Sequence, residues 1–211
     1  MTEVANLTLY HYPNKMGRIV LMALEEVLGR NGINAVLNHS ELSRLINCYP
    51  PNNFDLQFDF SNLGKIQSAL EDIYGPLGGR GVALRSGRAS FKYGLREFGP
   101  LLGITDQAFR LLPLNEKLNT GLKFFAEAFN RFSDQRVRIE ETSKCFYWHI
   151  EHCPVCWGRH VEGPVCHLAV GILQEALFWA SGGKHFLVQE TQCIAQGDPT
   201  CTIVIDKKPV E

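Results

Sequence analysis

Two cysteines placed symmetrically about one glycine constrain this chain more tightly than any other feature. In Cys193-Ile-Ala-Gln-Gly197-Asp-Pro-Thr-Cys201 each thiol stands four residues from Gly197. If the segment folds as an antiparallel hairpin centred on that glycine, Cys193 and Cys201 face each other with Cβ atoms about 4.5–5.5 Å apart. The alternation on either side predicts strands over Phe186–Ala195 and Thr200–Lys207, joined by the turn Gln196–Pro199. Two sulfurs side by side on one face of a sheet make half of a metal site, or a disulfide.

Five of the seven cysteines lie within residues 153–201. Thiolates gathered in this way in a reducing compartment most often hold a metal. Cys166 opens an apolar helix predicted from Pro164 to Ala180, where Pro164 suits the first turn and Gly182-Gly183 the end. A helix N-terminus favours the thiolate form of Cys166. The fourth ligand is open among Glu190, Cys153, Cys156 and His167. Glu190 stands three residues before Cys193, so in a regular strand it points to the opposite face; it ligates only if a bulge or twist intervenes. Cys153-Pro-Val-Cys156 is a C-x2-C knuckle, a spacing common at metal sites. Zinc is the first expectation for this donor set. An iron–sulfur cluster is the alternative, since four cysteines are at hand. Cys48 and Cys145 stand apart and read as buried thiols.

Upstream, apolar residues recur every three and four positions. Met16–Gly29 reads as a helix with Gly29 as its cap, and Asn34–Leu45 as a continuation. Leu63–Tyr74 is a second helix, closed by Gly75-Pro76-Leu77-Gly78-Gly79. Val82–Phe98 is a third, dotted with Ala83, Ser86, Gly87, Ala89 and Ser90, small residues that let a helix or a ligand come close. Leu114–Phe132 is the strongest helix, with Leu118, Leu122, Phe125, Ala126, Phe129 and Phe132 on one stripe. After Ser133 the period changes from helical to alternating. Val137 and Ile139, then Phe146, Trp148 and Ile150, mark two strands joined by the short Glu141–Lys144 connection, hence an antiparallel pair. The order helices, two strands, helix, two strands is that of an α+β domain whose antiparallel sheet is covered by helices.

Composition excludes some functions. With 21 basic against 22 acidic residues and a net charge of −1, nothing draws the chain to nucleic acid. The apolar runs are far short of a membrane span, and the first residues lack the basic and apolar regions of a signal peptide. A cytoplasmic location is the expectation. With 45% hydrophobic residues the chain has enough for one full core.

Pro164-Val-Cys-His-Leu-Ala-Val-Gly171, followed by Glu190-Thr-Gln-Cys-Ile-Ala-Gln-Gly-Asp-Pro-Thr-Cys-Thr202, resembles the signature of the 4-vinyl reductase, or hydrocarbon-binding, domain family. Members occur in bacteriochlorophyll synthesis, as small archaeal and bacterial hydrocarbon-binding proteins, and as the sensor domain of phenol-responsive transcription activators. The family shares its fold with TRAPP transport subunits. The resemblance implies one domain over residues 1–211 with a TRAPP-subunit-like ligand-binding fold. Its helical part would cover about 16–132, and its sheet and metal-binding part about 133–207. It further implies a zinc site on Cys166, Glu190, Cys193 and Cys201. This chain departs from that pattern in also having Cys153 and Cys156. The same resemblance implies an apolar pocket between helices and sheet, here matched to Phe125, Phe129, Phe146 and Trp148, with His149 and His167 as polar candidates.

The leading expectation is therefore a dimeric binding protein that encloses a small hydrophobic, aromatic or tetrapyrrole ligand and is stapled by a structural metal. No G-x-G-x-x-G stands after a strand, and no acid–base pair marks a catalytic centre. The alternative is an iron–sulfur electron-transfer or accessory protein of chlorophyll metabolism or photosystem assembly; a dimeric interaction scaffold is a third reading.

Overall fold

The computed structural model describes residues 9–102, 109 and 111–210. The leader expectation rests largely on residues outside that range. A short antiparallel pair, β1 (His11–Pro13) and β2 (Leu56–Asp59), flanks helix α1 (Asn14–His39). No side chain caps α1; instead the first free N–H groups of Asn14 and Lys15 donate to the carbonyls of Asp55 and Asn53, both at 2.9 Å, which satisfies donors that a helix start otherwise leaves open. Helix α2 (Phe60–Leu102) follows, then α3 (Leu114–Phe132). Both long helices break at a glycine the sequence marks. Gly29 has φ 70° and Gly75 has φ 72°, a region where a side chain costs energy and glycine does not. Beyond Gly75, Pro76 starts the second half of α2 at a position where its missing N–H is no loss. The glycine run at 78–79 is therefore helical rather than a loop.

The second sheet is four-stranded and antiparallel in the order β3 (Val137–Glu141), β4 (Cys145–Ile150), β6 (Cys201–Val210), β5 (His185–Gln192). Phe146, Trp148, Ile150, Ile203 and Ile205 are all at most 2% exposed and form its inner face. Helix α4 (His167–Ser181) crosses that face and packs along α2. The α+β class and the helix-covered antiparallel sheet are as the sequence implies. Helix α4 starts three residues later than predicted, because Cys166 is its N-cap (φ −80°, ψ 44°). It ends at Gly182 with φ 76°, and the Gly183 N–H closes back on the Phe178 carbonyl at 2.8 Å, a Schellman-type ending. The predicted run to Leu45 stops at His39, and a 3-10 turn at Ser43–Leu45 replaces its end.

The small residues of α2 have a definite use. A Cβ built on Gly87 would meet the Leu168 carbonyl oxygen at 2.2 Å, and one built on Gly171 would meet the Leu84 carbonyl oxygen at 2.2 Å. At this crossing α2 and α4 touch backbone to backbone. Gly64 likewise lies under the Trp157 carbonyl, which seats the loop carrying the C-x2-C knuckle on the start of α2. Among the described residues no helix is long and apolar enough to cross a membrane.

Candidate metal centre and adjoining cavity

The five cysteines converge from three elements. The loop after β4 brings Cys153 and Cys156, the N-cap of α4 brings Cys166, and the β5–β6 hairpin brings Cys193 and Cys201. All are at most 2% exposed. The loop is fixed by Tyr10 stacked on His152 at 4.1 Å, by Trp157 edge-on to Tyr10, and by the Val161 N–H donating to the Ala195 carbonyl at 3.0 Å. In the hairpin, Gln192 pairs with Thr202. That register sets Cys193 opposite Cys201, and their sulfurs are 3.9 Å apart. The turn between them is a 3-10 segment ending at Gly197, φ 103°.

Glu190 comes to the same place. Glu190 pairs with Ile203 while Gln192 pairs with Thr202, so the ladder is irregular between them. This bulge cancels the parity that would have sent the carboxylate to the other face. Glu190 is 6% exposed, and its Oε2 accepts the Cys166 backbone N–H at 2.7 Å. The carboxylate thereby serves the open N-terminus of α4, where a negative charge is favoured. Its Oε1 is buried without any partner. Two four-residue sets each have all their ligand atoms within 4.8 Å of one another: Cys153, Cys156, Cys166, Cys201, and Cys166, Glu190, Cys193, Cys201.

The donor set fits a thiophilic ion such as zinc. Two ligands of a tetrahedral zinc at ~2.3 Å stand about 3.8 Å apart. The sulfur separations are 3.5 Å for Cys153–Cys166, 3.4 Å for Cys156–Cys201, 3.7 Å for Cys166–Cys201 and 3.9 Å for Cys166–Cys193. Backbone donors already point at the cluster, with the Ile194 N–H 3.3 Å from the Cys201 sulfur. Burial pushes the Cys153 thiol and the Glu190 carboxyl up from their usual ranges, the Cys166 N–H partly offsetting this for Glu190. Hydrogen bonds from Cys153 and its neighbours push Cys156 down. Ionising so many buried donors together needs a cation among them. His167 is not within either set; burial and the Arg80 and Arg159 charges lower its pKa to about 4.

Next to the cluster is an apolar cavity of about 100 Å³. Phe125, Phe129 and Trp148 line it, as does Val155, which stands between the two knuckle cysteines, and Leu168 and Ala169, which follow Cys166. Phe146 does not line it. It stands two positions along β4 from Trp148, packed in the core with the Lys207 ammonium 4.6 Å from its ring centroid. Helix α2 contributes Ser90, Phe91, Leu95 and Phe98; of the small residues that the sequence marks as letting a helix or a ligand come close, Ser90 faces the cavity and Gly87 the helix crossing. Two polar features meet the cavity. The Tyr12 hydroxyl donates to Gln135 Oε1, both residues buried, and Ser90 Oγ is buried without a partner. Tyr12 and Gln135 lie in β1 and in the link before β3, segments with no motif to mark them.

His149 is on the opposite face of the sheet, where its Nδ1 pairs with Thr202 Oγ1 at 3.0 Å. Cys48 and Cys145 are not buried, contrary to expectation. Cys48 is exposed in the loop after the 3-10 turn, and Cys145 is half-buried at the start of β4, donating to Asp206 Oδ1 at 3.2 Å.

Residues 146–207 match the V4R domain. No curated protein sequence matches the chain. Among solved structures, an Fe(II) unliganded H-NOX protein from K. algicida is 12% identical over 94% of this chain and 97% of that one, with a TM-score of 0.58. An H-NOX protein from S. oneidensis in the Fe(II)NO ligation state is 14% identical over 92% and 99%, with a TM-score of 0.53. The phenol-responsive sensory domain of the transcription activator PoxR, with phenol, is 20% identical over 70% and 73%, with a TM-score of 0.47. The chain shares the overall fold of the H-NOX proteins along nearly its whole length.

Proposed function

With a V4R domain over residues 146–207 as the premise, we propose that this protein binds one small apolar or aromatic molecule in the cavity beside the cysteine cluster, and that a metal held by the cluster fixes the cavity floor. The observation that carries this reading is the cavity itself. Its space of about 100 Å³ is partly open and lined almost wholly by apolar side chains, the character of a small-ligand site. A dry engineered cavity of ~150 Å³ takes up benzene, so the space suits a single ring. Pockets for larger molecules run to ~300–1,000 Å³, which favours a single-ring ligand over the tetrapyrrole that the family name suggests. Ser90 Oγ and the Tyr12–Gln135 pair supply a place for one hydroxyl or carbonyl, and neither supplies an acid or base near neutral pH. This lining supports binding rather than turnover.

The metal's part is structural. Zinc saturated by protein ligands holds elements together rather than activating water. The residues that would hold it join the loop, the start of α4 and the hairpin, and each of these except the hairpin also contributes to the cavity wall. A ligand that presses on Val155 or Leu168 thus acts on a rigid frame, and its binding energy can be passed to the outer surface only as a bias between two packings of that frame. Homodimerisation and a cytoplasmic location belong to the same proposal. The exposed Ile73, Tyr74 and Leu77 around the break in α2 are a candidate dimer contact, testable by light scattering.

The test is calorimetric titration of metal-loaded protein with phenol, toluene and indole. Saturable one-to-one binding that is abolished by filling the space with Ala128→Phe is expected. Absence of saturable binding by any of the three, in protein that unfolds cooperatively, would sink the reading.

A further inference from the structure

We propose that the cluster holds two zinc ions, not one, with the sulfurs of Cys166 and Cys201 shared between them. This deepens the metal-staple reading above and rests on it.

The number of donors is the starting point. Five buried thiols and one buried carboxylate converge, whereas one structural zinc takes four ligands. These six groups do not form a single set. They fall into two foursomes that overlap in two members, Cys166 and Cys201. One ion would be held by the knuckle, Cys153 and Cys156, with the shared pair. The other would be held by Glu190 and Cys193 with the same pair.

Each foursome meets the same spacing. The knuckle sulfurs approach the shared pair at 3.5 and 3.4 Å, and Cys193 approaches it at 3.9 Å on both sides. The shared sulfurs are 3.7 Å apart, close to the about 3.8 Å expected for two ligands of one zinc. In both foursomes all ligand atoms lie within 4.8 Å of one another, so an ion placed in one leaves the other still assembled. An ion in the knuckle set alone would leave Glu190 Oε1 buried and unpartnered, which is costly. An ion in the Glu190 set alone would leave Cys153 and Cys156 packed against two thiolates with no cation between them.

Charge points the same way. If all six groups are ionised they carry six negative charges, and two zinc ions supply four positive ones, leaving −2. A single zinc on four ionised ligands also leaves −2. Filling the second set therefore adds no net charge to the interior, because the two further anionic ligands are neutralised by the second ion, while it satisfies every donor.

The experiment is metal stoichiometry by mass spectrometry under non-denaturing conditions and by elemental analysis, on the full chain purified without oxygen and loaded with zinc. Two zinc per chain is expected. Cys153→Ser/Cys156→Ser and Glu190→Gln/Cys193→Ser should each fall to one while staying folded, and Cys166→Ser should bind less than one. Loading with cadmium-113 gives a second readout. Two resonances coupled to each other through the shared sulfurs are expected, and this coupling does not depend on activity or stability. One zinc in the parent chain, or two uncoupled cadmium signals, overturns the two-ion proposal and leaves the staple reading intact. No zinc, iron with inorganic sulfide, or two disulfides overturns both.

Discussion

The backbone N–H of Cys166 donates to the Glu190 side chain at 2.7 Å, across 24 positions of sequence. One carboxylate oxygen thus caps helix α4, while the other faces the thiols without a partner. This single contact ties the start of α4 to the bulged strand β5, and it leaves Glu190 a second oxygen for the proposed metal. Glu190→Gln keeps an acceptor for the cap but removes the charge. Charged hydrogen bonds exceed neutral ones by about 1 kcal/mol, so we expect a modest fall in melting temperature and zinc affinity at least tenfold weaker in a chelator competition. Unchanged affinity would remove Glu190 from the ligand set.

Removal of the metal should be felt first at the C-terminal hairpin. Cys193→Ala is expected to lose the ion it would share with Glu190, and Cys201→Ala to lose both, and each to expose the β5–β6 amides to hydrogen exchange ahead of α1. Binding free energy of a structural ion is folding free energy, so the melting temperature should fall with chelator concentration. Retained zinc and full stability in both variants would refute the assignment.

The crossing of α2 and α4 gives a sharper steric test. Gly87→Ala places a methyl group 2.2 Å from the Leu168 carbonyl oxygen, and Gly171→Ala places one equally close to that of Leu84. Both neighbours are backbone and cannot swing aside, so each variant should lose about 2–3 kcal/mol in urea unfolding. Gly81→Ala meets nothing within 4 Å in the same helix and should gain about 0.5–1 kcal/mol from lower unfolded-state freedom. Equal effects at all three positions would contradict the backbone contact.

Ser90 has a buried hydroxyl with no partner at the cavity. Ser90→Ala should therefore leave stability unchanged or raise it, since it removes an unsatisfied polar group. It should weaken phenol by about 1 kcal/mol, or fivefold, and leave toluene unaffected. A parallel loss for both ligands would mean that Ser90 acts through shape alone.

On the outer face of the sheet, burial lowers the pKa of His149 below its ordinary 6.5, with the Arg138 charge acting the same way and Glu140 opposing it. The unfolded chain therefore takes up a proton at a higher pH than the folded one. This contribution to stability is intact above pH 6.5 and is lost as pH falls below it. Melting temperature measured from pH 7.5 to 5.5 should decline less in His149→Gln than in the parent chain; identical slopes would exclude His149 as a source.

The sequence by itself determined the parts that depend on local pattern. The 3- to 4-residue period from Leu114 to Phe132 is a helix with those bounds, because one apolar stripe has only one period that buries it. The switch to alternation after Ser133 places β3 and β4, and the symmetry of Cys193 and Cys201 about Gly197 yields their facing register. Gly29 and Gly75 mark the helix breaks because their positive φ is a local property.

What only the tertiary structure decided is whatever depends on distant segments meeting. No pattern near Tyr12 announces that it would share a hydrogen bond with Gln135, 123 positions away. Strand parity argued against Glu190, and a one-residue bulge, which carries no composition of its own, reversed it. Nor could spacing say that Cys153 and Cys156 come to the same cluster as Cys166. Their loop is seated through Trp157 and His152 on Tyr10 and Gly64 from far upstream, and it is that packing which brings the two knuckle thiols to Cys166 and Cys201.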